Sequence, residues 1–350
     1  MDTFLILTPG FPKDENDTTC LPAFQQFALS LKKLYPHIEF YFIAFQYPFF
    51  KDNYNWHNVN VISIGGKNKA GFYRFYTWIR VYRVLSKLKK EKKIIGILSL
   101  WLTECSLIGK IFSKLNNIKH FMWLIGQDAK ISNQYIFRIK PKANEIIAMS
   151  DFLQDSFFKN HRQKPFIVIE NGINPNAFPE FNLNERKIDI LGVGSLIDLK
   201  NYDLFIDIVF ELQKTKPLIY SVIAGSGERE HHLKQKVKEL KLENNIHFMG
   251  LVSHSEILNL MNDSKIFLHT SHYEGNSTVL MEALYSGCIT FSTQALSNSK
   301  VKNLFVLKQA SEFISEINIV LQNEIKNERV IFNMMDTSAK KIMDLYLTKT

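Results

Sequence analysis

The sequence predicts an α/β protein made of two successive doubly wound units, and three observations carry that prediction. Short apolar runs alternate with amphipathic helical patterns along most of the chain, the pattern of a parallel sheet covered by helices on both faces. The 350 residues are too many for one ordinary core and suit two. The alternation breaks over residues 175–186, which contain Pro175 and Pro179 and no apolar period, and then restarts. The domains expected are therefore 1–180 and 181–325, with 326–350 a terminal helix that packs back on the first.

The first unit reads in order as follows. Residues 4–8 form a strand that stops at Pro9-Gly10, and a polar loop over 11–20 leads to a helix at 23–34. Strands follow at 39–45 and 59–64, then a basic helix at about 72–90, a strand at 94–100 and a helix at 103–115 with Thr103 at its N-cap. A strand at 119–125 ends in Gly126-Gln127-Asp128. Another at 145–149 feeds a helix opened by Ser150-Asp151, and a last one at 166–170 ends in Asn171-Gly172.

The second unit alternates in the same way. Strands are expected at 188–193, 218–224, 246–249, 265–270, 288–291 and 303–307, and helices at 202–214, 228–240, 253–262, 277–286 and 311–322. Ser253 or Ser255 caps the third of these helices, and the run 325–347 reads as one more. Ligands of such sheets sit beyond the carboxyl ends of the strands. That rule selects the loops beginning at Gly10, Gly126, Asn171, Gly194, Gly225, Gly250 and Glu274.

Composition narrows the class. The 46% hydrophobic content is that of a globular protein. Asp2 follows the first Met at once and the apolar run 4–7 is a strand's length, so no signal peptide is expected. The longest apolar stretches, such as 94–102, fall short of a membrane span. Cys20, Cys105 and Cys288 form no Cys-x-x-Cys and fit a reducing cytoplasm. The histidines show no metal spacing, and the adjacent His231-His232 suits a solvated helix face.

The +9 charge is concentrated. Between Lys67 and Lys93 stand ten lysines and arginines against the single acid Glu91, interleaved with Phe72, Tyr73, Phe75, Tyr76, Trp78 and Tyr82. A basic aromatic helix of this kind suits an anionic membrane surface, so the expected location is cytoplasmic and peripheral on the inner membrane face. The alternative is a solvated helix with a buried aromatic stripe. No nucleic-acid-binding motif accompanies it.

The stretch that carries chemistry is 271–289, SHYEGNSTVLMEALYSGCI. It reads as a strand end, a tight turn at Gly275 and a helix opening near Ser277. Asn276, Ser277 and Thr278 put small polar residues and backbone N–H groups where the helix dipole favours an anion. Glu282 lies in a helix apolar nearly all round, and a buried carboxylate needs a partner, which a polyhydroxyl ligand would supply. Lys200 precedes a helix and can neutralise a phosphate there. Gly225-Ser226-Gly227 permits close backbone approach to a ligand. The run from Gly192 to Leu196 lacks the third glycine of a dinucleotide fingerprint, so NAD is not expected.

In order along the chain, GVGSLIDLKN, VIAGSGE, IHFMGLV and HYEGNSTVLMEALYSGCITFST resemble the retaining glycosyltransferases of family 4. The last block matches that family's E-x7-E signature through Glu274 and Glu282. The resemblance implies a GT-B fold, two doubly wound Rossmann-like domains facing each other across a cleft, with the acceptor on the first and the nucleotide-sugar on the second. It implies that Glu282 holds the ribose hydroxyls and that Glu274 contacts the donor sugar or the departing phosphate. Lys200 then neutralises the diphosphate, and N–H groups at Gly275, Asn276 and Ser277 face it, with Thr278 behind them. Ser195, Gly225, Gly227, Met249 and Gly250 complete the donor wall. Glu274 and Lys200 are the expected catalytic residues.

Three departures stand out. Ser195 replaces the usual arginine. The first loop has Gly10, Thr18 and Thr19 where a glycine pair is usual. Gln127 or Asp128 replaces the usual histidine. Gly10, Thr18, Thr19, Gln127 and Asp128, with Asn171, are the expected acceptor or donor-sugar contacts. No metal and no cofactor is implied, and no Asp-x-Asp motif is present. The implied activity is sugar transfer to a saccharide or lipid-linked acceptor in cell-surface polysaccharide or glycolipid assembly. The alternative is a non-catalytic GT-B partner subunit.

Overall fold

The computed structural model describes residues 1–182, 186–323 and 327–348. The chain forms two compact units, Met1–Gly172 with Asn333–Thr350, and Ile173–Phe332.

In the first unit the chain runs β1 (Asp2–Gly10), α1 (Pro22–Leu34), β2 (Ile38–Tyr47), β3 (Asp52–Trp56), β4 (Val59–Ser63), α2 (Phe72–Glu91) and β5 (Lys93–Leu100). It continues through α3 (Glu104–Asn116), β6 (His120–Leu124), α4 (Tyr135–Ile139), β7 (Ile146–Ala148), α5 (Asp151–His161) and β8 (Ile167–Val168). The sheet order is β3-β4-β2-β1-β5-β6-β7-β8. All pairs are parallel except β3 with β4. Strand β1 is central, and Phe4, Leu5, Ile6 and Leu7 are all fully buried. Both faces of a parallel sheet are covered, so its strands read as unbroken apolar runs. On one face Leu5, Leu7 and Ile97 pack with Val81, Leu85, Ile108 and Phe112 of α2 and α3.

The second unit runs β9 (Ile188–Val193), α6 (Tyr202–Gln213), β10 (Ser221–Ala224), α7 (Glu230–Glu239), β11 (Ile246–Gly250) and α8 (His254–Asn262). It ends with β12 (Ser264–His269), α9 (Thr278–Tyr285), β13 (Ile289–Ser292), β14 (Leu304–Val306) and α10 (Ala310–Gln322). Its sheet, ordered β11-β10-β9-β12-β13-β14, is parallel throughout. Ile190, Leu268 and Phe291 face α6, α7 and α10 on one side, while Leu191 and Phe267 face α8 and α9 on the other.

Helix α11 (Met335–Leu347) belongs to the first unit and packs on α1. Lys33 Nζ lies 2.6 Å from Asp336. The Tyr346 ring meets Phe4 and Phe121 edge-on at 4.6 and 5.2 Å, and its hydroxyl donates to Ile97 O at 2.6 Å. A Cβ at residue 96 would lie 2.3 Å from that ring, which is why Gly96 stands there.

Three details differ from the sequence expectation, and the structure resolves two expected helix caps. The division falls at Gly172/Ile173 rather than 180/181, because Ile173, Ala177 and Phe178 pack into the second unit's core. The terminal run is not one helix: among the described residues 327–334 are irregular and α11 begins at Met335. Strand β3, an edge strand with mostly exposed residues, and the short α4 have no apolar period to announce them. Thr103 sits at the N-cap of α3 but its side chain makes no capping bond. Ser253, not Ser255, caps α8, accepting from Glu256 N.

Candidate active site

All strands of the second unit run parallel, so the loops after β9, β10, β11 and β12 gather at one sheet edge. Beyond β9 a short 3-10 turn over Asp198–Lys200 ends at Asn201 in the left-handed region, φ 49°, and α6 begins. The neighbouring β12 loop is stitched to this turn. His272 N–H donates to Leu199 O and the Thr270 hydroxyl to Lys200 O, both at 2.9 Å. That stitching brings Lys200 to Glu274, whose Oε1 accepts a hydrogen bond from the ammonium in a mostly buried ion pair.

A histidine missed by sequence reasoning stands behind this pair. The β12–β13 register sets His269 beside Ser292. The Glu274 carboxylate can only accept, so the ring hydrogen 3.2 Å from its Oε1 is on Nε2, which also lies 3.0 Å from Ser271 Oγ. In the neutral ring Nδ1 then accepts from the Ser292 hydroxyl at 3.0 Å, and Ser292 Oγ in turn accepts the Gln294 N–H at 2.9 Å. Burial holds His269 below its usual range, so it is neutral. Burial alone would raise the Glu274 carboxyl, but the His269 hydrogen bond and then the Lys200 charge override it and bring it down to about 2. Glu274 is thus a fixed anion whose Oε2 has no partner among the described residues.

Glu282 is buried on α9, as its apolar surroundings predict, and one of its oxygens is held by a protein side chain. His254 Nε2 lies 2.8 Å from Glu282 Oε1. His254 is the first residue of α8, and α8 packs on α9. Between the two glutamates Ser277 is the N-cap of α9 without a side-chain cap. The amide oxygen and nitrogen of Asn276 are both buried and lack a hydrogen-bond partner among the described residues. A buried amide with neither end satisfied, at a helix N-terminus, marks a place where a polar ligand group fits.

The remaining donor-side residues are brought to the same edge. Gly194, φ 152°, and Gly225, φ 147°, touch back to back: a Cβ at 225 would lie 1.9 Å from Gly194 O. A Cβ at 227 would lie 2.4 Å from Leu196 O. The glycine pair therefore serves the close approach of two loops, whatever it offers a ligand. Gly225→Ala is expected to destabilise the protein by about 1–3 kcal/mol, read as a shifted urea midpoint. Ser195 and Met249 are exposed, and Gly250, φ 69°, turns the chain after β11. Arg229 does not stand in for the absent arginine, since its guanidinium pairs with Asp198 at 3.1 Å and Asp203 at 2.9 Å.

The first-unit residues form separate groups. Gly10 ends β1, and Thr8 Oγ1 donates to its carbonyl at 2.7 Å. Thr18 and Thr19 flank a turn built on Asp17, whose carboxylate accepts from Cys20 N–H, Thr19 Oγ1 and the Tyr47 hydroxyl. Asp128 is buried and turned into its own loop, accepting from Leu102, Gly126 and Ile125 N–H groups at 2.8, 2.7 and 3.3 Å. Burial raises its carboxyl despite those donors. Of the two candidates for the histidine's place, Gln127 is the exposed one. Asn171 is buried, and its carbonyl accepts from Asn333 Nδ2 at 2.9 Å. Among the described residues no group of three or more His, Cys, Asp or Glu could hold a metal, and no helix is long and apolar enough to cross a membrane.

The carboxyl edge of this parallel sheet thus carries a lysine–glutamate pair beside a helix N-terminus where the Asn276 amide is unsatisfied. The family model for glycosyl transferases group 1 matches residues 174–334, the stretch that makes up the second unit. Over 173 residues, 48% of the chain, it is 27% identical to one of the subunits of phosphatidylinositol N-acetylglucosaminyltransferase from Homo sapiens. That alignment covers 36% of the relative, so the chain spans about a third of its length. The sucrose-phosphate synthase of Thermosynechococcus elongatus superposes with a TM-score of 0.75 at 12% identity, over 99% of this chain and 94% of that one. WaaG, a glycosyltransferase involved in lipopolysaccharide biosynthesis, gives 0.68 at 13% identity over the whole of both chains. These likenesses show the fold: a GT-B glycosyltransferase fold of two Rossmann-like units.

Proposed function

We propose that this chain is a retaining glycosyltransferase of the family 4 type, moving a sugar from a nucleoside-diphosphate sugar to a saccharide or lipid-linked acceptor in cell-surface polysaccharide or glycolipid assembly. The observation that carries the reading is the Lys200–Glu274–His269 cluster beside the N-terminus of α9. Departure of a nucleoside diphosphate builds negative charge on the leaving oxygen, and a lysine and a helix N-terminus stabilise it there. Glu274, anionic at every working pH, suits the positive charge that grows on the sugar carbon. Glu282 offers a carboxylate oxygen to ribose hydroxyls. No cofactor enters this reading, and the departing phosphate takes the acceptor proton. A thermal-shift screen against UDP- and GDP-sugars tests it, because a ligand that binds only the folded state raises the melting point. No shift with any of them would sink it.

A second reading, a non-catalytic GT-B partner subunit, draws on Ser195, which leaves the phosphate site one cation short. Turnover of the donor found in the screen separates the two.

The acceptor side of the proposal rests on α2. Its buried stripe is Thr77, Val81, Leu85 and Leu88, and its aromatics at the N-terminal end face solvent. Phe72 is 80% exposed and Tyr73 61%, next to Lys67, Lys69 and Arg74. Apolar rings among cations suit an anionic bilayer surface, which supports a peripheral position on the inner membrane face. The lysines at the other end of α2 are less suited: Lys92 pairs with Glu39 at 2.8 Å and Lys93 with Asp2 at 2.9 Å. The combined variant Lys67→Gln, Lys69→Gln, Phe72→Ser, Phe75→Ser is expected to weaken sedimentation with anionic liposomes by about tenfold or more. Unchanged sedimentation would leave α2 a solvated helix.

A further inference from the structure

Each glutamate of the pair is backed by one histidine on its Oε1, and the two histidines differ in kind. His269 is sealed beneath the sheet edge and locked in one neutral tautomer by Glu274 and Ser292. His254 stands at the opening of α8, where its side chain is 14% exposed and that of Glu282 12%. Its place is fixed by the capping box before it: Ser253 Oγ accepts the Glu256 N–H, and the Glu256 carboxylate accepts the Ser253 N–H at 2.8 Å. Nothing in the E-x7-E signature calls for a histidine 28 residues before its second glutamate.

We propose that His254 is a positioning residue for Glu282, holding Oε1 at 2.8 Å so that the carboxylate is set for a donor's ribose, and that its protonation makes nucleotide affinity depend on pH. The inference rests on the donor-binding reading given above.

The charged groups around the ring support the assignment. Helix α8 packs on α9, β9 and β12. On α9 the group facing His254 is Glu282. On α8 itself Glu256 is turned back onto Ser253. On β9 Asp189 is held by Lys216 and by Lys265 of β12, each at 3.0 Å. Burial works against the charged ring, but the hydrogen bond and charge of Glu282 outweigh it and leave His254 above its ordinary 6.5. The His254 charge is therefore present below that raised value and is lost as pH rises through it. A neutral ring still donates from Nε2, but the bond is no longer charge-assisted and holds the carboxylate less firmly. Burial pushes His269 the opposite way, below its ordinary 6.5.

The test uses the full chain, with UDP and GDP as probes, and calorimetry from about pH 6 to about pH 9. The wild-type affinity for the nucleotide that binds is expected to fall about three- to tenfold across that range. His254→Gln, which keeps a donor near the Nε2 position but cannot titrate, is expected to give a flat profile. His254→Ala is expected to be about tenfold weaker at every pH. In the ligand-free protein, NMR titration of the His254 ring is expected to give a value above 6.5 that drops in Glu282→Gln. Equal pH slopes in wild type and His254→Gln would overturn the proposal, as would a His254 titration unmoved by Glu282→Gln. If Glu282→Ala binds UDP and GDP as tightly as wild type, the ribose reading itself fails and the proposal falls with it, even where the NMR coupling persists.

Discussion

Lys200→Ala is expected to lower turnover by about 10²–10³-fold with little change in donor affinity, measured as initial rates with the donor found by thermal shift. The size follows from removing one preorganised group that meets charge developing on the leaving oxygen. A near-normal rate would show that other groups carry the phosphate. The same substitution strips Glu274 of one of the two donors on its Oε1. A carboxyl held at about 2 in the folded protein, against an ordinary 4.5, stabilises the fold above about pH 4.5. That contribution is lost as pH falls towards 2. The stability gap between wild type and Lys200→Ala in urea unfolding is therefore expected to be widest near neutrality and to close on acidification.

Glu282→Ala is expected to weaken nucleotide binding by about 10–100-fold while the fold survives, since hydrogen bonds from ribose hydroxyls to a carboxylate each contribute about 1.5–3 kcal/mol. Calorimetry with the nucleotide and its 2′-deoxy analogue checks the role. Wild type should prefer the ribonucleotide, and the variant should lose that preference. If the variant still discriminates, the ribose is read elsewhere. Removing Glu282 also takes away the carboxylate bonded to the mostly buried His254, so the variant's stability should be compared in parallel.

Much of this was legible in the sequence because it follows from periodicity. Strands such as residues 188–193 are buried on both faces and read as unbroken apolar runs, and the loops after them had to lie at one edge. Glu274 and Lys200 could be found because their loops are short and polar between apolar runs, and Glu282 because a carboxylate stands out in a helix apolar nearly all round. The histidines could not. His269 ends a strand and His254 opens a helix, both ordinary surroundings for that residue, and only the β12–β13 register and the α8–α9 contact reveal what they touch. Strand β3 was missed because its residues are mostly exposed. The unit boundary was misplaced because prolines and polar residues after Gly172 suggest a linker, whereas Phe178 is packed against Tyr285 at 4.6 Å. Asp128, which stood as a possible ligand contact, spends its oxygens on three backbone N–H groups, a use that residue type alone does not announce.

The return of α11 to the first unit has a consequence for how the chain acquires its structure during synthesis. The first unit is interrupted: Tyr346, packed on Phe4 and Phe121, is separated by 249 positions from Ile97, whose carbonyl its hydroxyl holds. The second unit is continuous and lies wholly inside that interval. On the ribosome, where the amino-terminal portion emerges first, the part that starts first is thus the part that finishes last. Until α11 is released, Gly96 lies beneath no ring and a strip of the central strands stays open to solvent. The second unit can close its own core before then, so the order of completion runs opposite to the order of translation.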